Sequence, residues 1–415
     1  MPRPAGNIKL KSARVAAGYR SQEALTEALR GLGLSVSSRQ LCRWESASPP
    51  WPQPDHQQAL TNLLGQDMEA LGFTPPPGYD QPVASRRAVV TTAAAAVMGL
   101  AAVPVQATAL QPASVAADFQ TVTRSHRRLY WSVAPATLHP SAIAHATLGC
   151  ALLSETAGQT RRIVAAALAE TWMLAGRIEF FDLREPERAG QTLLRALQAA
   201  SEADDPLLGA AILAHTAFIP GWDGRRDEAV ERMVAARTYA RRGPASAEFM
   251  AWLDAVEAEC ETRCGRTRTA LHLIGHAEDT LANGSAHTSP EWLDWFSPVR
   301  LAAFKGNTQL KANHLPQARE TLLGALDALE PGEEKQTTVI LGDLAAVEAA
   351  AGHPEQACTY AVRALDQLER TWYATGMDRV REVRRALAPH QHEPCVRDLD
   401  DRLYRWSTTV SALAR

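Results

Sequence analysis

The 415-residue sequence predicts an all-α fold, with a small helical head ahead of a long helical array. Three observations carry that expectation. No stretch sustains the apolar–polar alternation of a strand. Nearly all of 113–415 breaks into apolar-periodic segments of about 12–20 residues, parted by Gly, Pro, Asp or Asn. Finally, alanines seven residues apart recur at Ala189/Ala196, Ala229/Ala236, Ala270/Ala277, Ala318/Ala325 and Ala357/Ala364, in steps of 40, 41, 48 and 39 residues.

The head comes first. Eight basic residues face four acidic ones in the first 60, a local +4 in a chain whose net charge is −3, which leaves −7 for the rest. A basic head on an acidic body suits contact with a polyanion. Residues 10–45 read LKSARVAAGYRSQEALTEALRGLGLSVSSRQLCRWE. Leu10 to Gly18 reads as a first helix and its cap, and Ser21 as the N-cap of a second. Ser37 to Glu45 reads as a third helix, with Leu25, Leu29, Leu41 and Trp44 as the small core. This segment resembles the Cro/repressor-type helix-turn-helix, although its connection RGLGLSV is longer than the common turn and Thr26 replaces a small packing residue. The resemblance implies that the third helix enters the major groove of double-stranded DNA. Gln22 is then suited to phosphate or an adenine edge. Ser37 and Ser38 would cap the helix and touch phosphate, while Arg39, Gln40 and Arg43 would reach base edges or backbone.

The runs SASPPWPQP (46–54) and TPPPGYDQP (74–82) are breakers, and the second ends the head, giving a helix-turn-helix domain over 1–75. The first 30 residues are polar and charged, so no signal peptide is expected. Arg86-Arg87 followed by the apolar segment 89–110 imitates a twin-arginine signal or a short span. Its alanine-rich composition, with Pro104 and Gln106 inside it, argues instead for a linker helix within 76–112 and against membrane insertion. Residues 113–160 are read as a helical extension or cap, and 161–415 as the repeat domain with its C-terminal helices.

Within the repeats, Gly224, Gly265, Asn313 and Gly352 stand five residues before the first alanine, where a left-handed helix end would turn the chain. Ala217, Ala258, Gly306 and Ala345 stand twelve before it, small enough for two helices to approach closely. These offsets resemble the tetratricopeptide repeat, with HEAT-type repeats the alternative because the period is long. The first unit departs, carrying Arg177 and Arg184 at the small and turn positions, so RIEFFDLRE (177–185) is expected to form a longer loop. The resemblance implies a curved solenoid whose first helices line a concave face. On the tetratricopeptide pattern that face carries Phe218, Trp222, Trp252, Glu259, Arg263, Arg300, Asn307 and Lys311. One reading is a groove for a short peptide, a small acidic signal or a protein partner. The other makes the aromatics core residues and the charges a solvated face. On the first reading, Arg300→Ala/Asn307→Ala abolishes ligand binding with the helical melt unchanged.

No P-loop, dinucleotide-binding glycine pattern, HExxH or nucleophile elbow occurs, so no enzyme activity and no cofactor are expected. The six cysteines are scattered, which implies no disulfide framework. Cys260 and Cys264 are read as small core residues, and His390-Gln391-His392-Glu393 as a polar loop, so no metal site is expected. Head, linker and repeats together resemble a group of actinobacterial regulators associated with secondary metabolism and development. That resemblance implies a cytoplasmic, DNA-binding transcriptional regulator, with homodimerisation through the repeats plausible because paired half-sites are common. The alternative is a protein-interaction scaffold with a vestigial head.

Overall fold

A computed structural model describes residues 6–76, apart from 18, 20, 33, 65 and 67, and residues 111–413. Every regular element among them is helical. The chain divides between Gln106 and Ala107 into two compact units. The alanine-rich segment 89–110, expected as a linker helix, lies outside the described residues. Among the described residues no helix is long and apolar enough to cross a membrane.

The first unit holds α1 (Ile8–Ala16), α2 (Gln22–Gly31), α3 (Ser38–Trp44) and α4 (Pro54–Leu64). Leu25, Leu29, Leu41 and Trp44 are buried as expected, together with Leu10, Leu60 and Phe73. Trp44 meets Phe73 edge-on at 6.5 Å. Thr26 is buried as well, and its hydroxyl donates to Gln22 O at 2.8 Å, so no polar atom is orphaned by the change from a smaller residue. Asn7 fastens the unit. Its Oδ1 accepts from Leu10 N while its Nδ2 donates to Trp44 O at 3.2 Å and Leu71 O at 2.9 Å. Gly72 is required beside it, at φ +80° and with Asn7 Oδ1 2.3 Å from where a Cβ would stand.

In the second unit α5 (Ser114–Leu129) and α6 (Pro135–Glu155) pack on α7 (Gly158–Arg177). Five helical hairpins follow: α7 with α8 (Pro186–Ala203), α9 (Pro206–Trp222) with α10 (Arg226–Ala240), and α11 (Ala247–Arg263) with α12 (Thr267–Asn283). Then come α13 (Pro298–Lys311) with α14 (Leu315–Asp327), and α15 (Glu334–Ala350) with α16 (Pro354–Arg370). Helices α17 (Ala374–Ala386) and α18 (Pro394–Leu413) end the row. The first helix of each hairpin also touches the first helix of the next, which makes a solenoid. The paired alanines all lie on second helices and none is more than 3 % exposed. Seven residues is two helical turns, so each pair faces its partner helix and lets the two axes close up.

The turns follow the sequence reading. Gly224, Gly265, Asn313 and Gly352 adopt φ of 74°, 73°, 61° and 81°. The first hairpin corrects one expectation. RIEFFDLRE is not a loop, because the helix runs on through a π turn, Ile178–Asp182. Arg184 then takes the turn conformation at φ 61°. A π turn holds one residue more than an α turn, which shifts the register behind it by one. The small packing residue is therefore Gly176 instead of position 177. A Cβ on Gly176 would come within 2.8 Å of Leu193, as one on Gly306 would come within 2.5 Å of Leu322. Arg177 is freed from the packing face and turns inward.

The curved solenoid winds until its beginning meets its end. Tyr130 and Lys335 both bond Asp182, each at 3.0 Å. Thr375 Oγ1 donates to Phe181 O at 3.1 Å, and Arg184 pairs with Asp378. Arg127 bridges Glu170 at 2.6 Å and Asp294 at 2.7 Å.

Candidate functional site

Helix α3 splits cleanly into two faces. Leu41 and Trp44 are buried, whereas Arg39, Cys42 and Arg43 are exposed and Ser38 and Gln40 are half-buried. Arg39 and Arg43 are four apart and so share one face. Ser37 alone caps the helix, accepting from Gln40 N at 3.2 Å, while Ser38 is its first residue and not a second cap. Gln22 is partly spent inside the protein, because its Nε2 donates to Glu45 at 2.6 Å. Glu45 also takes a 2.6 Å bond from buried Arg14, whose Nη1 reaches Tyr19 O at 2.7 Å. This network ties α1, α2 and the end of α3 together, and it holds the arginine face of α3 in a fixed orientation to α2.

The second unit carries a partly open chamber of about 150 Å³ along the inner faces of its first helices. The predicted residues Phe218, Trp222, Trp252, Glu259, Arg300 and Asn307 all line it. Arg263 and Lys311 do not. Arg263 stacks on Trp222 at 4.1 Å in an adjoining cleft of about 1320 Å³, which shares Trp222, Thr375 and Arg379 with the chamber. Lys311 is exposed and lies 3.7 Å from Glu382. Phe218 and Trp252 are buried and Trp222 is half-buried, and Glu259, Arg300 and Asn307 are buried with them and form no solvated face.

Those polar groups hold the wall together. Arg300 donates to Trp295 O at 2.7 Å and to Glu333, and its guanidinium lies 4.3 Å over Trp131. Asn307 donates to Asp343 at 3.0 Å. Arg379 Nε stands 3.2 Å from the same Asp343 oxygen but out of line for a hydrogen bond. Burial raises the Asp343 carboxyl above its usual range, against the pull of Arg379. Burial also pushes Glu259 up, but Arg263 and Arg379 outweigh it and hold the carboxyl below its ordinary value. An Arg300→Ala/Asn307→Ala variant therefore strips bonds from Trp295, Glu333 and Asp343, and the unchanged melt expected from sequence is corrected to a lower one.

Sequence reasoning missed Arg177, His215, Trp295, Lys335 and Tyr373, which also line the chamber. Lys335 is 2 % exposed and its ammonium sits 3.5 Å over the Tyr130 ring as well as on Asp182. His215 Nδ1 donates to Ala211 O at 2.8 Å, and the ring is packed against Trp252 and Trp295 at 5.2 and 5.4 Å. Full burial, with Arg177 behind it, pushes its imidazole down to about 3. The available signal was Arg177 itself, the one large charged residue at a position that the other repeats fill with Ala or Gly.

The two cysteine thiols of the α11 end are packing groups. Cys260 Sγ donates to Ala217 O at 3.6 Å and Cys264 Sγ to Gly221 O at 3.8 Å. Burial raises the Cys260 thiol, which disfavours the thiolate that metals and oxidants need. His390 bonds Glu393 at 2.7 Å, and among the described residues no group of three metal-ligating side chains converges.

No family model matches the chain, and no curated protein matches it. Among solved structures it is similar to BtubC (BKLC) from P. vanneervenii, with 18% identity over 57% of this chain and 91% of that one, at a TM-score of 0.40. So distant a likeness carries no functional conclusion.

Proposed function

We propose that the chain is a sequence-specific DNA-binding transcriptional regulator whose repeat unit senses a ligand or partner, in the role in secondary metabolism or development that its architecture implies. The observation that carries this reading is the two-faced α3. Leu41 and Trp44 anchor it from within, and Arg39 and Arg43 stand exposed on one side. Arginine forks on an exposed helix suit guanine edges and phosphates. The +4 of the first 60 residues would supply the salt-dependent, sequence-independent part of the affinity. Homodimerisation through the repeats would pair two heads on two half-sites. Cytoplasmic residence follows from the same reading.

The test is selection of sheared genomic DNA by the full chain at near-physiological salt, with Arg39→Ala/Arg43→Ala in parallel. Discrete sites enriched by the parent and lost in the variant are expected. Equal recovery by both proteins would contradict the reading.

A further inference from the structure

The chamber of the repeat unit holds donors that its own acceptors do not reach. Three of its four lining cations are partnered: Lys335 by Asp182, Arg300 by Glu333, and Arg379 by Asp343. The fourth is Arg177. It is 7 % exposed, its Nε has no hydrogen-bond partner, and among the described residues no carboxylate touches it, although Asp182 and Asp294 act on it from farther off. Only ring faces hold it, Trp295 at 4.4 Å and Tyr130 at 5.1 Å from the guanidinium carbon. A buried guanidinium without an anion in contact is costly, and its rigid donors fit a carboxylate. The indole N–H groups of Trp222 and Trp295 are also without acceptors, and every lining atom left so is a donor.

The wall also carries the rings of Phe181, Phe218, Trp252 and Tyr373, beside Asn307, Gln336 and the carboxylates Glu259 and Asp343, which Arg263, Arg379 and Asn307 already engage. A volume of about 150 Å³ is the size that admits a benzene-sized ring. A bare inorganic anion would leave those ring faces unfilled, and a neutral arene would leave the donors unpaired. We infer that the chamber takes a small aromatic monocarboxylate, its ring stacked among the aromatics and its carboxylate on Arg177. This names the ligand class of the sensing unit, and it rests on the reading that the repeats sense a ligand.

The experiment titrates the full chain with benzoate, phenylacetate and cinnamate, followed by tryptophan fluorescence and by thermal melting. Benzamide and inorganic phosphate serve as the neutral and ringless controls. At least one of the three acids is expected to quench fluorescence saturably and to raise the melting temperature, with benzamide and phosphate at least about tenfold weaker. Arg177→Gln should lose about tenfold or more in that affinity, with Arg177→Lys recovering part of it. Trp222→Phe keeps the ring and removes one donor, and should weaken the acid without touching Arg177. No response to any acid, binding of benzamide as tight as that of the acids, or full affinity in Arg177→Gln would overturn the inference. The titration contains no DNA, so its failure leaves the DNA selection untouched. Success with an unresponsive DNA affinity would keep the ligand class and remove the sensing role.

Discussion

Lys335 and Asp182 show how single residues hold the second unit shut. Both are almost fully buried, and burial disfavours both charges, raising the Asp182 carboxyl and lowering the Lys335 ammonium. The 3.0 Å contact between them offsets part of that cost. Lys335→Met should therefore destabilise the unit by about 3–5 kcal/mol in chemical denaturation, because it leaves a carboxylate uncompensated. Lys335→Met/Asp182→Asn should recover part of the loss. A single variant as stable as the parent would remove the pair from the account. His215 sets a pH dependence. Its folded value near 3 lies below its ordinary 6.5, so its contribution is whole above about 6.5 and is lost as the pH falls towards 3. The slope for one such proton is about 1.4 kcal/mol per pH unit. His215→Phe keeps the ring packing and should flatten stability between pH 6 and 4 by about that slope. An unchanged slope would mean that the imidazole is not the group that titrates.

At the level of elements, hairpin geometry was legible wherever side-chain size decides it. The alanine pairs, the left-handed turns at Gly224, Gly265, Asn313 and Gly352, and the buried Leu and Trp of the head all follow from local rules of size and backbone freedom. The π turn was not legible, because an inserted residue changes register without changing composition. Two substitutions test the hairpins by urea denaturation. Gly306→Ala should cost about 1–3 kcal/mol, as its methyl meets Leu322. Leu322→Ala should be less harmful in that background than in the parent. Asn313→Ala should cost about 1 kcal/mol at φ 61°, whereas Asn313→Gly should be neutral or stabilising.

On the scale of the whole molecule, an all-α chain with a helical head and a repeat array could be read from periodicity, but closure of the array could not. Contacts such as Asp182 to Lys335 join residues 153 apart, and no local pattern marks them. The chamber was therefore half visible. Residues at regular repeat positions, such as Phe218 and Asn307, were found, and Arg177 was seen only as an exception. The head was read more fully, because a four-helix core leaves few places for an exposed arginine pair. The most direct measurement is the ratio of affinities for a selected genomic site and for a scrambled duplex, at fixed salt, for the parent and for Arg39→Ala/Arg43→Ala. The account predicts a ratio of at least about a thousandfold in the parent, collapsing towards one in the variant. A parent that binds both duplexes equally, or a variant that keeps the full ratio, would contradict it.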